Sequence, residues 1–210
     1  MKLASYILVL FTIFSCNSNA QTKKLSLEPK KGKAIAVFAE GCFWCSEHIF
    51  EAVVGVDDAV SGYTGGTTKN PSYEQVSSHK TGHAEAVAVY YDPKVVSFKE
   101  LVDVFFASQD PTTPNRQGPD VGSSYRSIAF YRNAEEKKII LDNIKELTAK
   151  KVFPSPIVTE VKPLMDFYKA EDYHQDYIKY NPNVPYVKGV SIPRYNKFKK
   201  TYKGKLKPNS

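Results

Sequence analysis

The chain has 210 residues, with 29 Lys and Arg against 22 Asp and Glu, a formal net charge of +7. The excess gathers at the two ends, in Lys23, Lys24, Lys30, Lys31 and Lys33 and again between Lys197 and Lys207. Basic residues split between two flexible ends are solvated rather than assembled into one face, which argues against a nucleic-acid partner.

Lys2 and the apolar run from Leu3 to Phe14 have the form of an export leader, too short to span a membrane and suited to a signal h-region. Ile13-Phe14-Ser15-Cys16 resembles a bacterial lipobox, with Phe14 off the pattern, while Ser18-Asn19-Ala20 offers an ordinary cleavage region instead. Residues 1–20 are therefore expected to be leader and tether, with Cys16 as the lipidation site. The protein is expected in a bacterial cell envelope or periplasm, held at the membrane by that lipid. Residues 21–33 read as linker, 34–192 as one folded domain and 193–210 as a basic tail. Roughly 175 residues remain after export, enough for one substantial core.

Ala34 to Ala39 is expected to be a buried strand ending at Glu40-Gly41. From Phe43 to about Val54, the apolar Ile49, Phe50 and Val53 fall at helical spacing, and Gly55 stops the helix. Val56 to Tyr63 reads as a strand closing on the Gly65-Gly66 turn. Asn70-Pro71-Ser72 then breaks the chain, and the pattern leaves Tyr73 to Ser78 open. Ala84 to Tyr91 has the small and β-branched residues of a strand packed on both faces. Ser97 with Glu100 makes a capping box for a helix through Leu101, Val102, Phe105 and Phe106. Gln109 to Ser124, rich in proline and glycine, reads as an irregular loop and Tyr125 to Tyr131 as a strand. Asn133 and Glu136 cap a helix through Ile139, Ile140, Ile144 and Leu147. Val158 to Val161 is a last short strand, Asp166 to Tyr180 a short helix, and loop is expected beyond Asn181. Strands and helices mix without strict alternation, which defines an α+β fold: a mixed sheet with helices packed on it.

Two of the three cysteines, Cys42 and Cys45, stand three positions apart with the only tryptophan, Trp44, between them. A bridge closing so small a loop removes little chain entropy, so a structural staple explains the pair poorly. Cys42 falls at the start of the first helix, where free N–H groups and the helix dipole favour a thiolate. Phe43 and Trp44 offer an apolar wall beside it. His79 and His83 lie four apart, but Gly82 interrupts a shared helical face, so no metal site is expected. His48 and His174 read as packing or surface residues.

Gly41-Cys42-Phe43-Trp44, Gly82-His83-Ala84-Glu85, Gln117-Gly118-Pro119-Asp120 and Tyr125-Arg126-Ser127 follow one another along the chain. With Gly62 to Gly66 and Tyr173-His174-Gln175 they resemble the methionine sulfoxide reductase A family, over about residues 34–192. The resemblance implies a ferredoxin-like core, a catalytic domain over 34–192 and reduction of the S epimer of methionine sulfoxide. It implies Cys42 as nucleophile, Glu85 as proton donor, Tyr73 and Tyr125 as hydroxyls on the sulfoxide oxygen, and Asp120 as an ordering residue. Phe43 and Trp44 would receive the substrate methyl group. No bound cofactor is implied. Oxidised methionine-containing proteins would be the substrates, with free methionine sulfoxide left open, and a thioredoxin-like protein the external reductant.

Many members have glycine where this chain has Cys45, and carry further cysteines near the C-terminus; here none follows Cys45. A sulfenic acid on Cys42 condenses readily with a nearby thiol. Residues i and i+3 at a helix start are about one turn apart, within the ~4.4–6.8 Å Cα range of a disulfide. Cys45 is therefore expected to resolve Cys42; its alternative is a small buried residue, with an external thiol doing that work. Two other functions stay open at this point, a thioredoxin-like disulfide exchange at Cys42 and Cys45 and a non-catalytic thioether-binding lipoprotein.

Overall fold

The computed structural model describes residues 22–208. The expected leader, the Cys16 lipidation site and the last two residues lie outside them. In chain order the elements are β1 Lys24–Leu25, β2 Ala34–Glu40, α1 Phe43–Glu51, β3 Val56–Thr64, α2 Tyr73–Ser77, β4 Ala84–Tyr91 and α3 Phe98–Ala107. There follow β5 Arg116–Gln117, β6 Asp120–Val121, β7 Ser127–Tyr131, α4 Ala134–Ala149, β8 Glu160–Pro163, β9 Phe167–Lys169, α5 Tyr177–Tyr180 and α6 Ile192–Thr201. The main sheet runs β1-β9-β3-β4-β2-β7-β8, antiparallel throughout except for the β7–β8 pair. Within it, β2-α1-β3-β4-α3-β7 in the spatial order β3-β4-β2-β7 is two interleaved β-α-β units, the ferredoxin-like core that the resemblance implies.

β2 and β4 are central and buried on both faces, which is why neither shows a polar alternation. On one face Phe38 stacks on Phe50 of α1 at 5.2 Å and on Phe105 of α3 at 5.1 Å, tying both crossover helices to one strand. On the other, Ile35, Val37, Ala86, Ala88, Ile128 and Phe130 form a second cluster, against which Leu25, Leu27 and Leu164 pack. Removing a ring such as Phe38 from so close-packed a centre costs about 3–5 kcal/mol. The capping signals form as read. Ser97 Oγ accepts from Glu100 N–H at 3.2 Å, and Glu100 Oε2 accepts from Ser97 N–H at 2.8 Å. Asn133 Oδ1 accepts from Glu136 N–H at 2.8 Å.

Several expectations are corrected. Residues 21–33 are not plain linker, because β1 pairs with β9 and Thr22 Oγ1 donates to the Pro71 carbonyl at 2.6 Å. The open segment after Pro71 is helical, with Ser72 and Gln75 making a reciprocal cap. Tyr125 is not in a strand. Gly122, at φ +136°, turns the chain into a 3₁₀ turn over Ser123–Tyr125, and pairing starts only at Ser127. The last short strand lies two residues later than expected, at Glu160–Pro163.

The stretch from Asp166 to Tyr180 is not one helix. It holds β9, a 3₁₀ turn over Asp172–His174 and α5, because the Gln175 amide bonds Ser61 N–H, Ser61 C=O and Ala170 C=O and pins an extended run. Beyond Asn181 the chain is helical rather than loop. A π-helical turn over Val187–Ser191 leads into α6, whose Tyr195 and Phe198 are buried between lysines. Past α6 the chain stays on the fold as far as Lys207, with Leu206 bridged to Val53 and Lys207 N–H on the Ala52 carbonyl at 2.8 Å. The expected tail is thus part of the fold, and it brings residues to the site.

Candidate active site

The centre of the sheet delivers the first groups. β2 ends in Glu40-Gly41, and Gly41 holds φ +91°; a Cβ there would come within 2.4 Å of Gln117 Cβ. Only glycine meets both demands. Cys42 follows as the N-cap of α1 and its carbonyl accepts from Cys45 N–H at 3.1 Å. The Phe43 N–H, one of the free donors at the helix start, goes to Glu85 Oε2 at 3.0 Å. Glu85 sits on β4 opposite Tyr63 of β3, so the carboxyl reaches the helix end from the neighbouring strands. Burial pushes its pKa up to about 8, against the lowering pull of the Phe43 N–H. At neutral pH Glu85 therefore holds its proton.

The aromatic wall is ordered by residues that were not given roles from sequence. Trp44 stacks on Tyr177 at 3.7 Å and donates its indole N–H to His174 Nδ1 at 3.0 Å. An accepting Nδ1 leaves the proton on Nε2, 3.8 Å from the Glu171 carboxylate. Burial lowers His174 to about pH 4, so the ring is neutral. It also packs against Phe43 at 4.9 Å and Tyr73 at 4.5 Å. Glu171 takes both Tyr63 O–H at 2.9 Å and Tyr73 N–H at 3.0 Å, clamping the start of α2. Burial raises the phenols of Tyr73 and Tyr125, and the next largest influence on each is the Glu85 charge, with Cys42 and Asp120 also acting. All the residues carried by the resemblance are thus gathered in one place. Tyr125 is held there by its turn and by the His79 ring at 5.9 Å, itself bonded to Ser124.

The second thiol has a different setting. Cys45 is buried, unbonded to Cys42, and its Sγ lies 3.3 Å from Ser191 Oγ. Arg194 of α6 donates through Nη2 to Glu40 Oε1 at 2.9 Å and through Nε to the Ser108 carbonyl at 2.8 Å. Ser108 Oγ closes the network on Glu40 Oε2 at 2.7 Å. Burial pushes Glu40 up to about 7 even beside that guanidinium. Tyr186 O–H donates to Asp120 Oδ2 at 2.6 Å. None of Tyr186, Ser191 or Arg194 was expected, since all lie where loop or tail was read.

The thiols titrate in opposite directions. Burial pushes Cys42 well up, and its hydrogen bond to Cys45 adds to this. That same bond pulls Cys45 down, with the Arg194 charge and the Ser191 hydroxyl assisting against burial. The helix start does not hold Cys42 as the resting thiolate that the sequence implied, because burial raises the thiol; the Phe43 N–H there goes to Glu85 instead. No group of three metal-ligating side chains occurs among the described residues. His83 instead ties the glycine turn, accepting from Gly66 N–H at 3.2 Å.

Two neighbouring thiols beside a carboxyl that keeps its proton make a site that can give two electrons from sulfur and a proton from a carboxylic acid, the chemistry of a thiol-dependent reductase. The sequence matches the family model described as peptide methionine sulfoxide reductase over residues 34–206. It is 46% identical to peptide methionine sulfoxide reductase MsrA 1 of Rhodopirellula baltica over 183 residues, 87% of this chain and 94% of that one. The fold is similar to the reduced form of Mxr1 from Saccharomyces cerevisiae, at TM-score 0.70 and 35% identity over 76% of this chain and 94% of that one. Mxr1 in complex with Trx2 matches at TM-score 0.51 and 28% identity, over 72% of this chain and 94% of that one. The chain belongs to the peptide methionine sulfoxide reductase family. It is an oxidoreductase of the A type, acting on methionine sulfoxide.

Proposed function

We propose that this reductase acts on the S epimer of methionine sulfoxide in proteins through Cys42 and Glu85, with free methionine sulfoxide left open as a second substrate. The observation that carries this reading is the protonated Glu85 bonded to the N–H of the residue next to Cys42. Cys42 passes its proton toward the Cys45 sulfur, to which it is hydrogen bonded, and attacks the sulfoxide sulfur. Glu85 protonates the sulfoxide oxygen, which is too poor a leaving group without it. The hydroxyl then passes from the substrate sulfur to Cys42 as the new sulfur–sulfur bond and the S–O bond both break, so methionine leaves as the thioether and Cys42 is left as sulfenic acid. Tyr73 and Tyr125 hydrogen-bond the oxygen as charge builds, Asp120 orders Tyr186, and Phe43 and Trp44 receive the methyl group.

Cys45 then attacks the Cys42 sulfenic acid, forming the disulfide and releasing water. Arg194 and Ser191 support this step by favouring the Cys45 thiolate. A thioredoxin-like protein returns the pair to dithiol, a role supported by the Mxr1 relative that was solved with Trx2. The leader-like run before Cys16 supports export to a bacterial envelope with a lipid on Cys16, which the mass of the mature N-terminus tests.

The decisive assay is turnover of each sulfoxide epimer with dithiothreitol. The S epimer is reduced by the native protein and not by Cys42→Ser; reduction of the R epimer instead would overturn the reading.

A further inference from the structure

His79 stands outside the groups that the proposed chemistry uses, yet it holds the turn that carries one of them. It follows α2 directly: Ser78 is the C-cap of that helix, and His79 N–H goes to the Val76 carbonyl at 2.9 Å. Its backbone is left-handed, at φ +62°. Glycine adopts that conformation at no steric cost, so what histidine adds at this position is its ring.

The ring is fixed on the segment that ends at Tyr125. Nδ1 is hydrogen-bonded to Ser124 Oγ at 2.9 Å, and Ser123 Oγ donates to the His79 carbonyl at 3.3 Å. The ring fills the space beside Gly122, where an added Cβ would come within 2.2 Å of it. It also meets the Tyr125 ring edge-on, with centroids 5.9 Å apart and planes at 68°. Every residue from Gly122 to Tyr125 is therefore in contact with His79. Other ties on this turn act on its backbone: Gly122 N–H donates to the Asn115 carbonyl at 2.8 Å, and Arg126 Nη1 donates to the Ser123 carbonyl at 2.6 Å. The ring contact on Tyr125 comes from His79.

His79 also joins two elements that each bring a phenol to the site. α2 begins with Tyr73, whose N–H is held by Glu171 at 3.0 Å, and it ends beside His79. With the start of this short helix fixed by Glu171 and its end by His79, Tyr73 and the Ser123–Tyr125 turn are held in one register.

Building on the reading that Tyr125 hydrogen-bonds the sulfoxide oxygen, we propose that His79 is a positioning residue for the Tyr125 hydroxyl. A donor already aimed at the oxygen needs no reorganisation as charge builds there, whereas a ring free to tilt must be ordered at each turnover. The hydrogen bond strengthens in the transition state, so the effect falls on the chemical step more than on substrate binding.

The test is a double-mutant cycle on His79 and Tyr125, read as the rate of methionine release in a single turnover of the S epimer and as KM in steady state. Tyr125→Phe should slow release; an unchanged rate would remove the hydroxyl reading and the role of His79 with it. If Tyr125→Phe slows release and His79→Gly does not, the inference about His79 alone is overturned. His79→Gly keeps the left-handed backbone and removes the ring. It should slow release about three- to thirtyfold with KM nearly unchanged, a coupling of the size that contacting residues show. In the Tyr125→Phe background the same change should cost nothing further, because the group it positions is gone. An equal loss in that background would mean that His79 supports the fold in general, and would sink the inference. Ser124→Ala removes the Nδ1 bond and leaves the ring, so it should reproduce part of the loss while Tyr125 is present. A Ser124→Ala loss that persists in the Tyr125→Phe background counts against the positioning role.

Discussion

Cys42 and Cys45 are one helical turn apart, yet their surroundings are opposed. Cys42 faces a protonated acid on the central strands and a wall of rings, whereas Cys45 faces a guanidinium and a serine from the C-terminal helix region. One setting suits donating a proton to oxygen, the other suits holding sulfur as an anion. A single buried environment provides only one of these, because burial alone raises every thiol and carboxyl. The fold separates them by building the first on β2 and β4 and the second on residues 186–194, brought in from the far end of the chain.

The sharpest way to break that contrast is to exchange the roles. Cys42→Ser should lower sulfoxide reduction by about 10³-fold or more, the loss expected on removing a covalent nucleophile. Cys45→Ser should still release one methionine per protein in a single turnover. Its thioredoxin-supported turnover should fall about 10–100-fold, with Cys42 trapped as sulfenic acid by mass. A multiple-turnover rate with thioredoxin equal to the native one would remove Cys45 from the cycle.

Glu85→Gln tests the acid side. Removing a general acid costs about 10²–10⁴-fold, so the rate of the reductive step should drop within that range. In the native protein the same rate should fall as pH rises through about 8, where Glu85 loses its proton, and the glutamine variant should lack that limb. Stability moves with it. The folded-state pKa is raised, so between the ordinary carboxylate value and about 8 the folded protein binds more protons than the unfolded one. Stability is therefore lost as pH rises through that window. Glu85→Gln should accordingly resist urea better than native protein at pH 9 and gain little at pH 5. An equal gain at both pH values would mean that Glu85 is ionised throughout.

The cation side is tested by Arg194→Gln. In a Cys42→Ser background, alkylation of Cys45 at pH 7 should slow about three- to tenfold, because the neighbouring charge that favours its thiolate is gone. Glu40, buried and then unpaired, should take up a proton, so the variant's stability should fall more at pH 8 than at pH 6. Arg194→Lys keeps the charge and should recover part of the alkylation rate. No recovery there would assign Arg194 to packing alone.

The same contrast explains what was legible in the sequence. The acid side rests on central strands and a capped helix, where hydrophobic period and end signals agree with the tertiary structure. Cys42, Glu85 and the β2-α1-β3-β4-α3-β7 core follow from those local patterns together with the short motifs. The cation side depends on α6, whose apolar Tyr195, Phe198 and Tyr202 are interleaved with lysines, so composition reads as tail. Ser191 and Arg194 carry no local signal, since their roles arise only when the π turn brings them to Cys45. Tyr195, Phe198 and Tyr202 at spacings of three and four were the one clue to a helix there. Tyr125 departs from its sequence pattern for a different reason: its neighbours favour a strand, and Gly122 at positive φ overrides them.

The smallest effect concerns His174, which joins Trp44, Phe43 and Tyr73 in the aromatic wall. Its neutral ring accepts the Trp44 indole N–H and packs on Phe43 and Tyr73, so it orients the ring wall beside Cys42. A buried hydrogen bond of this kind contributes about 0.5–1.5 kcal/mol net. His174→Phe keeps the ring and loses the acceptor, leaving the indole N–H unsatisfied, and should raise KM for the sulfoxide about two- to tenfold with little change in the chemical step. Trp44→Phe should remove that penalty when combined with it, because the orphaned donor is then gone. If the double variant is worse than the sum of its parts, His174 acts through Tyr73 rather than through Trp44.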